Sequence, residues 1–262
     1  MPPISATIIA HNEAHSIARA IRSLKAADEI VVVDGGSIDG TREIAAKMGA
    51  RVILHPWEGF AAQKNFASSQ AAHDWILSLD ADEELDDDAQ AVIARWKDSE
   101  PRAAGYRFPR RARYLGRWIL HCGWYPDYKI RLFDRRQGKW KGEYVHESVE
   151  VQGPVLAMAG EILHYTCDTF DEHRKRVEFY TDLAAHEMVE RGESVGGARK
   201  LLAPPWVFFN TYFLRLGILD GHQGFLIARM AARYVRRKYA KWARLTAEGA
   251  RRGGRKAEAP GG

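Results

Sequence analysis

The chain has 262 residues, 46% hydrophobic and 28% charged, the composition of a globular protein and too apolar for a disordered one. That length suits one large domain or two modest ones, with core enough to fold without disulfides, and Cys122 and Cys167 lie in no CxxC pair, which favours a reducing compartment. The net charge of +5 is uneven: Arg229 to Gly262 holds 11 Lys+Arg against Glu248 and Glu258, while the remainder is mildly acidic, so the tail alone invites an anionic partner.

The first hundred residues alternate strand and helix signals. Ile4 to Ala10 reads as a buried strand, and Glu13 to Ala26 as a helix with Ile17, Ile21 and Leu24 at helical spacing and Asn12 as its N-cap. Glu29 to Val33 is a second strand, and Thr41 to Met48 a helix stopped by Gly49. Arg51 to Leu54 is a third strand, Gly59 to Ala72 a helix with Phe60, Lys64 and Ala67 on one face, Trp75 to Leu79 a fourth strand and Asp86 to Trp96 a fourth helix. Strands that recur with helices between them predict an α/β fold with a mostly parallel central sheet and flanking helices. Ligands of such sheets bind beyond the carboxyl ends of the strands. Three polar clusters fall there: His11-Asn12-Glu13, Asp34 to Thr41, and Asp80-Ala81-Asp82-Glu83.

Asp80-Ala81-Asp82 sets two carboxylates at i and i+2 past the apolar run Trp75 to Leu79. Mg²⁺ and Mn²⁺ take oxygen ligands and complete their shells with phosphates and water, so this pair suits a cation that clamps a diphosphate. Asp34-Gly35-Gly36 follows a Val-rich strand, where glycine permits a tight turn close to a ligand and the carboxylate can accept from a ribose or base. A tight turn with Asp39 or Thr41 capping the next helix is the plain alternative. No G-x-G-x-x-G, P-loop or G-x-S-x-G elbow occurs, which argues against dinucleotide, P-loop and serine-hydrolase chemistry.

The stretches Ile8 to Glu13, Val31 to Thr41, Gln63-Lys64-Asn65 and Leu77 to Glu83 together resemble family 2 glycosyltransferases of the GT-A, nucleotide-diphospho-sugar transferase fold. The resemblance covers about the first hundred residues. It implies a sugar transfer from a nucleotide diphosphate, with His11, Asn12, Glu13, Asp34 and Gly35 around the nucleoside, Lys64 and Asn65 near the nucleotide, Asp82 on a Mg²⁺ or Mn²⁺ ion, and Asp80 on the ribose or the metal shell. Further on, Tyr125-Pro126-Asp127 with Arg131-Leu132-Phe133, Val145-His146-Glu147, and Gly217 to Gly221 resemble the subgroup of bacterial lipopolysaccharide core glucosyltransferases.

An inverting transfer needs a base for the acceptor hydroxyl and positive charge for the leaving phosphate. Asp127, among Trp124, Tyr125 and Tyr128, is the first choice of base and Glu147 the second. His146 is placed in the metal shell, with a solvated strand-end histidine as the alternative, and Arg131 on the diphosphate, with an exposed Lys129-Arg131 face as the alternative. Arg107, Arg110, Arg111 and Arg113 suit a phosphorylated acceptor or a solvated loop.

Tyr165 to Arg191 reads as a helix. Pro204 and Pro205 open an aromatic stretch with Trp206, Phe209 and Phe213, and Phe225 to Leu245 reads as a helix with aromatic positions and seven basic side chains, the composition of an interfacial helix. The alternative is that the aromatic stretch is core. Met1 to Thr7 lacks the basic start of a signal peptide, and the uncharged run Leu201 to Leu214 is too short to span a bilayer. The expected organisation is a glycosyltransferase domain over 1–165 (nucleotide-sugar binding to 100, acceptor and catalytic parts beyond), a helical membrane-associating extension over 166–248, and a disordered basic tail over 249–262. The expected function is transfer of glucose from a UDP-sugar to a lipopolysaccharide-core or other lipid-linked saccharide, at the cytoplasmic face of the membrane as a peripheral protein. A polyprenyl-phosphate acceptor is the same-class alternative and a nucleotidyltransferase the distant one. Basic residues confined to the tail argue against nucleic-acid binding.

Overall fold

The computed structural model describes residues 1–142 and 147–257, with side chains to residue 248. In chain order the first part carries β1 (Ile4–Ala10), α1 (Ile17–Arg22), β2 (Glu29–Asp34), α2 (Thr41–Lys47), β3 (Arg51–Leu54), α3 (Phe60–Gln70), β4 (Trp75–Asp80), β5 (Glu83–Leu85), α4 (Asp87–Lys97) and β6 (Gly105–Tyr114). Then follow β7 (Arg117–Trp118), β8 (Asp127–Asp134), β9 (Gly138–Lys141), β10 (Ser148–Val151), β11 (Val155–Ala157) and β12 (Ile162–Cys167). The C-terminal part is α5 (Phe170–Glu190), α6 (Gly197–Phe209), a π-helical turn Asn210–Leu214, a 3₁₀ turn Gly217–Asp220 and α7 (Gly221–Ala257). Two compact units result: Met1–Arg113 with Tyr125–Thr166, and Tyr114–Trp124 with Cys167–Gly262.

The first unit holds the sheet, in the order β3-β2-β1-β4-β8-β6-β12-β5. β1 lies parallel between β2 and β4, and every one of its residues is buried. Strands covered on both faces read as continuous apolar runs, which is why Ile30 to Val33 and Trp75 to Leu79 show no alternation. The register sets Ala10 beside Asp34 and Ile9 beside Asp80, so the three polar clusters of the sequence meet at one sheet edge. β8 pairs antiparallel with both β4 and β6, while β11 lies parallel to β6. Ile4, Ile8, Ile17, Leu24, Leu77 and Ile93 are fully or almost fully buried at the heart of this core.

Three local expectations change. The first helix starts at Ile17, not Glu13, because residues 12–14 are pulled toward the next loop: Asn12 adopts φ 58° and its Oδ1 accepts from Ile38 N–H at 2.9 Å instead of capping a helix. Ile162 to Cys167 is a strand, not the start of a helix; α5 begins after Thr169, whose hydroxyl and Glu172 form a capping box. Pro204 and Pro205 lie inside α6 instead of ahead of a new segment.

The second unit packs α5 and α6 on α7. Ala185, Met188, Val195, Tyr239 and Trp242 form one core, and Tyr114, Ile119, Cys122, Cys167, Leu226 and Ile227 another. A Cβ on Gly224 would lie 1.8 Å from Gly217 O, so the turn before α7 closes only with glycine there. Asp220, buried at that turn, accepts from His121 N–H at 2.9 Å.

Candidate active site

The loops after β1 and β2 are stitched together by four hydrogen bonds. Asn12 N–H donates to Ser37 Oγ at 2.8 Å, Glu13 N–H to Thr41 Oγ1 at 2.8 Å and Ala14 N–H to Asp39 Oδ2 at 3.0 Å, with the Ile38 to Asn12 bond as the fourth. Asp34 holds the inside of this bracket: it is fully buried and its carboxylate accepts from Gly36 N–H at 2.9 Å, Ser37 N–H at 2.7 Å and the Ser37 hydroxyl. Gly35 N–H donates to Ala10 O at 2.8 Å. Asp34 and Gly35 therefore shape the loop, while His11, Asn12 and part of Glu13 face outward, His11 and Asn12 on the exposed side.

Next to this bracket an alternating chain of charges crosses the sheet edge. Glu147 Oε1 is 3.1 Å from Lys64 Nζ, which is 2.7 Å from Asp80 Oδ1. Asp80 Oδ2 is 2.8 Å from Arg131 Nη2, and the same nitrogen is 2.7 Å from Glu83 Oε1. Glu83 in turn meets Arg110 Nη1 at 3.1 Å, and Arg110 Nη2 meets Asp127 Oδ2 at 2.7 Å. Lys64, Glu83 and Arg131 are each at most 3% exposed, so these charges persist only because each is matched by its neighbours. Trp140 backs two of the cations, with Lys64 Nζ 4.3 Å and the Arg131 guanidinium 5.6 Å from its ring.

The environment sets the carboxylates apart. Burial alone would raise the Asp80 pKa, but Arg131 and Lys64 outweigh it and hold the carboxyl well below the usual range. Burial also raises Asp127, and Arg110 with Lys129, 3.0 Å away, overcomes it, so this group too is held below its ordinary value. Asp82 has a different partner: its Oδ2 is 3.2 Å from His164 Nε2. That pairing follows from register: β12 runs antiparallel to β5 with His164 opposite Glu83, and Tyr165 N–H donates to Asp82 O at 3.0 Å.

Lys64, Asp80, Arg131, Asp127 and Glu147 thus belong to one charge chain, while Asp82, two residues past Asp80, pairs with His164. Asn65 does a different job: its amide accepts from Trp140 N–H at 2.9 Å and donates to Trp140 O at 2.8 Å, fastening α3 to β9. Arg131 is a buried brace between two carboxylates and not part of an exposed strand face. His146 lies outside the described residues. The sequence reading missed Glu83, Arg110 and His164. Glu83 adjoins the Asp-Ala-Asp motif and was legible as part of it; Arg110 and His164 gain their roles from antiparallel pairing, which leaves no local signature.

Residues 5–149 match the family model described as glycosyl transferase family 2. The chain belongs to that family. Its relatives include the lipopolysaccharide core biosynthesis glycosyltransferase LpsC of Rhizobium meliloti, 32% identical over 89% of both chains. An uncharacterized glycosyltransferase of Rickettsia felis is 33% identical over 86% of this chain and 84% of its own. Among solved structures, glucosyl-3-phosphoglycerate synthase from Mycobacterium tuberculosis, in complex with Mn²⁺, UDP and glucosyl-3-phosphoglycerate, is 26% identical over 35% of this chain and 37% of its own, with a TM-score of 0.31. The protein is a glycosyltransferase of the GT-A fold with a helical C-terminal extension.

Proposed function

We propose that this family 2 glycosyltransferase moves a sugar, with glucose the first choice, from a UDP-sugar to a lipopolysaccharide-core acceptor or another lipid-linked saccharide at the cytoplasmic face of the membrane. The observation that carries the transfer chemistry is the charge chain from Glu147 to Asp127, which gathers two candidate bases, two buried cations and the Asp80-Ala81-Asp82 motif at the carboxyl edge of one sheet. The likeness to LpsC over most of both chains supports the acceptor class.

Lys64 and Arg131, buried and paired with Asp80, Glu83 and Glu147, fix those carboxylates at and beside the motif, and groups held in place before the reaction need no reorganisation as it proceeds. Glu147 or Asp127 takes the proton of the acceptor hydroxyl as that oxygen attacks the anomeric carbon and the nucleotide departs in line. Tyr125 and Tyr128 suit stacking on a sugar ring.

The donor set beside the motif fits a hard divalent cation. Asp82 and His164 give one carboxylate oxygen and one imidazole nitrogen, both partly solvent-accessible, leaving the remaining positions to phosphate oxygens and water. Asp80 is already matched by Lys64 and Arg131, so Asp82 with His164 is the better pair to hold Mg²⁺ or Mn²⁺. When bound, the cation would neutralise charge on the departing diphosphate.

Thermal stabilisation by UDP with Mn²⁺ tests the reading; ligand at a hundred times its dissociation constant adds about 2.7 kcal/mol. Asp82→Ala and His164→Ala are expected to keep the fold and lose the Mn²⁺-dependent part of this stabilisation together with transfer. Unchanged Mn²⁺ dependence in both variants would remove these residues from the metal role. Screening of UDP-sugars for hydrolysis, followed by mass spectrometry of lipid extracts, then identifies donor and acceptor.

A further inference from the structure

We infer that the second unit docks on an anionic phospholipid surface through the face built by α6 and the turns after it, and not through the basic stripe of α7. The choice of a bilayer rests on the lipid-linked acceptor proposed above; the surface itself rests on what the fold leaves uncovered.

Leu202, Trp206, Phe209 and Phe213 recur at helical spacing along α6 and the π-helical turn, and they are 63%, 58%, 44% and 46% exposed. Trp206 stacks on Phe209 with centroids 6.0 Å apart, and Phe209 meets Phe213 at 5.2 Å, so the rings form one continuous ridge. Leu216 and Leu219, in the turns that follow, are exposed as well. Isolated exposed apolar residues are ordinary; a contiguous ridge of this size marks a contact surface.

Charge selects the occupant. After Glu193 and as far as Arg229 the sequence holds four basic residues, Arg199, Lys200, Arg215 and Arg229, and a single acid, Asp220. Asp220 is buried, with its carboxylate turned to His121 at 3.2 Å and to its N–H, so it adds nothing negative to the surface. Arg199, Arg215 and Arg229 are exposed along this stretch. An apolar ridge on a stretch whose exposed charges are all basic fits the boundary between acyl chains and anionic headgroups. Among the described residues no helix is long and apolar enough to cross a membrane, so the contact is a surface one.

The middle of the basic stripe of α7 is engaged by α5. Arg237 and Lys241 meet Glu178 of α5 at 2.9 and 3.2 Å, and Lys241 also meets Asp182 at 2.8 Å. The apolar side of α7, with Leu226, Met230, Tyr239 and Trp242, is buried. The interfacial composition of this helix is therefore explained by packing against α5 and α6.

The test uses the full chain and vesicles of phosphatidylethanolamine with a minor fraction of phosphatidylglycerol. The triple variant Trp206→Ala, Phe209→Ala and Phe213→Ala removes exposed rings and leaves the cores intact. It is expected to sediment with vesicles about tenfold less or weaker still, while Arg236→Gln with Arg244→Gln on α7 changes sedimentation little. Vesicles without phosphatidylglycerol, or raised salt, should weaken binding of the wild-type chain. Equal sedimentation of triple variant and wild type overturns the inference. So does a wild-type chain that is dimeric without vesicles and becomes monomeric in the triple variant, since the ridge then faces a second copy. Hydrolysis of UDP-sugar is read in parallel: if it is absent while the triple variant still loses vesicle binding, the docking surface stands and the proposed donor chemistry falls.

Discussion

Arg110 grips Asp127 with two nitrogens, Nε at 3.1 Å and Nη2 at 2.7 Å, from the register position directly opposite on the neighbouring strand. The pair ties the first-choice base to the far end of a buried charge chain, and so fixes both where Asp127 sits and how willingly it takes a proton.

Because Arg110 and Lys129 together outweigh burial, Asp127 stays ionised below the ordinary carboxylate range. If it is the base, the acid limb of the turnover profile lies at low pH, and Arg110→Gln should move that limb to higher pH by removing the charge that favours the anion. Asp127→Asn should then lower turnover by about 10²- to 10⁴-fold with little change in donor affinity. Steady-state kinetics of Glu147→Gln is the paired measurement. A dead Glu147→Gln beside a nearly normal Asp127→Asn assigns the base to Glu147, which shares Lys64 with Asp80.

Glu83 has a structural duty that its neighbours in the motif lack. It is fully buried, its Oε1 accepts from Arg110 and Arg131, and its Oε2 accepts from Asp80 N–H at 3.1 Å. Glu83→Gln keeps the shape but removes the anion that Arg110 and Arg131 share, leaving Arg110 with Asp127 alone and Arg131 with Asp80 alone. Removing one partner of a buried ion pair costs about 3–5 kcal/mol. Urea unfolding should show a loss of that order, where Asp82→Ala at the solvent edge should show much less.

His173 makes the second unit sensitive to acid. Burial, with Arg176 adding repulsion, depresses its imidazole to about 4, and its Nδ1 lies 2.7 Å from the Tyr114 hydroxyl. In the unfolded chain the group titrates near its ordinary value of about 6.5. Between those values the unfolded state binds a proton that the folded state refuses, so stability falls as pH drops from about 6.5 toward 4. Partial solvent contact trims the effect to at most about 3 kcal/mol. His173→Phe should flatten the pH dependence of the melting temperature in that window; an unchanged slope would assign the acid sensitivity to other groups.

The sequence by itself determined the parallel half of the sheet. Ile4 to Ala10, Ile30 to Val33 and Trp75 to Leu79 are largely apolar, with only the small Ser5, Thr7 and Ser78 among them, because both sheet faces are covered, and the charged residues that follow them mark the strand ends where ligands bind. Gly49 as a stop and the Asp80-Ala81-Asp82 motif are equally local, since a turn is decided within a few residues. Only the tertiary structure decided that His164 stands beside Asp82, that Arg110 holds Asp127, and that Arg131 is a buried brace. Those pairings join residues 17 to 82 positions apart through antiparallel register, and a strand's own sequence states which face is apolar without stating which neighbour it meets. The same holds for the two ends of the C-terminal extension. Composition marks both the α6 ridge and the α7 helix as amphipathic, and packing chose which apolar side is buried and which is left exposed.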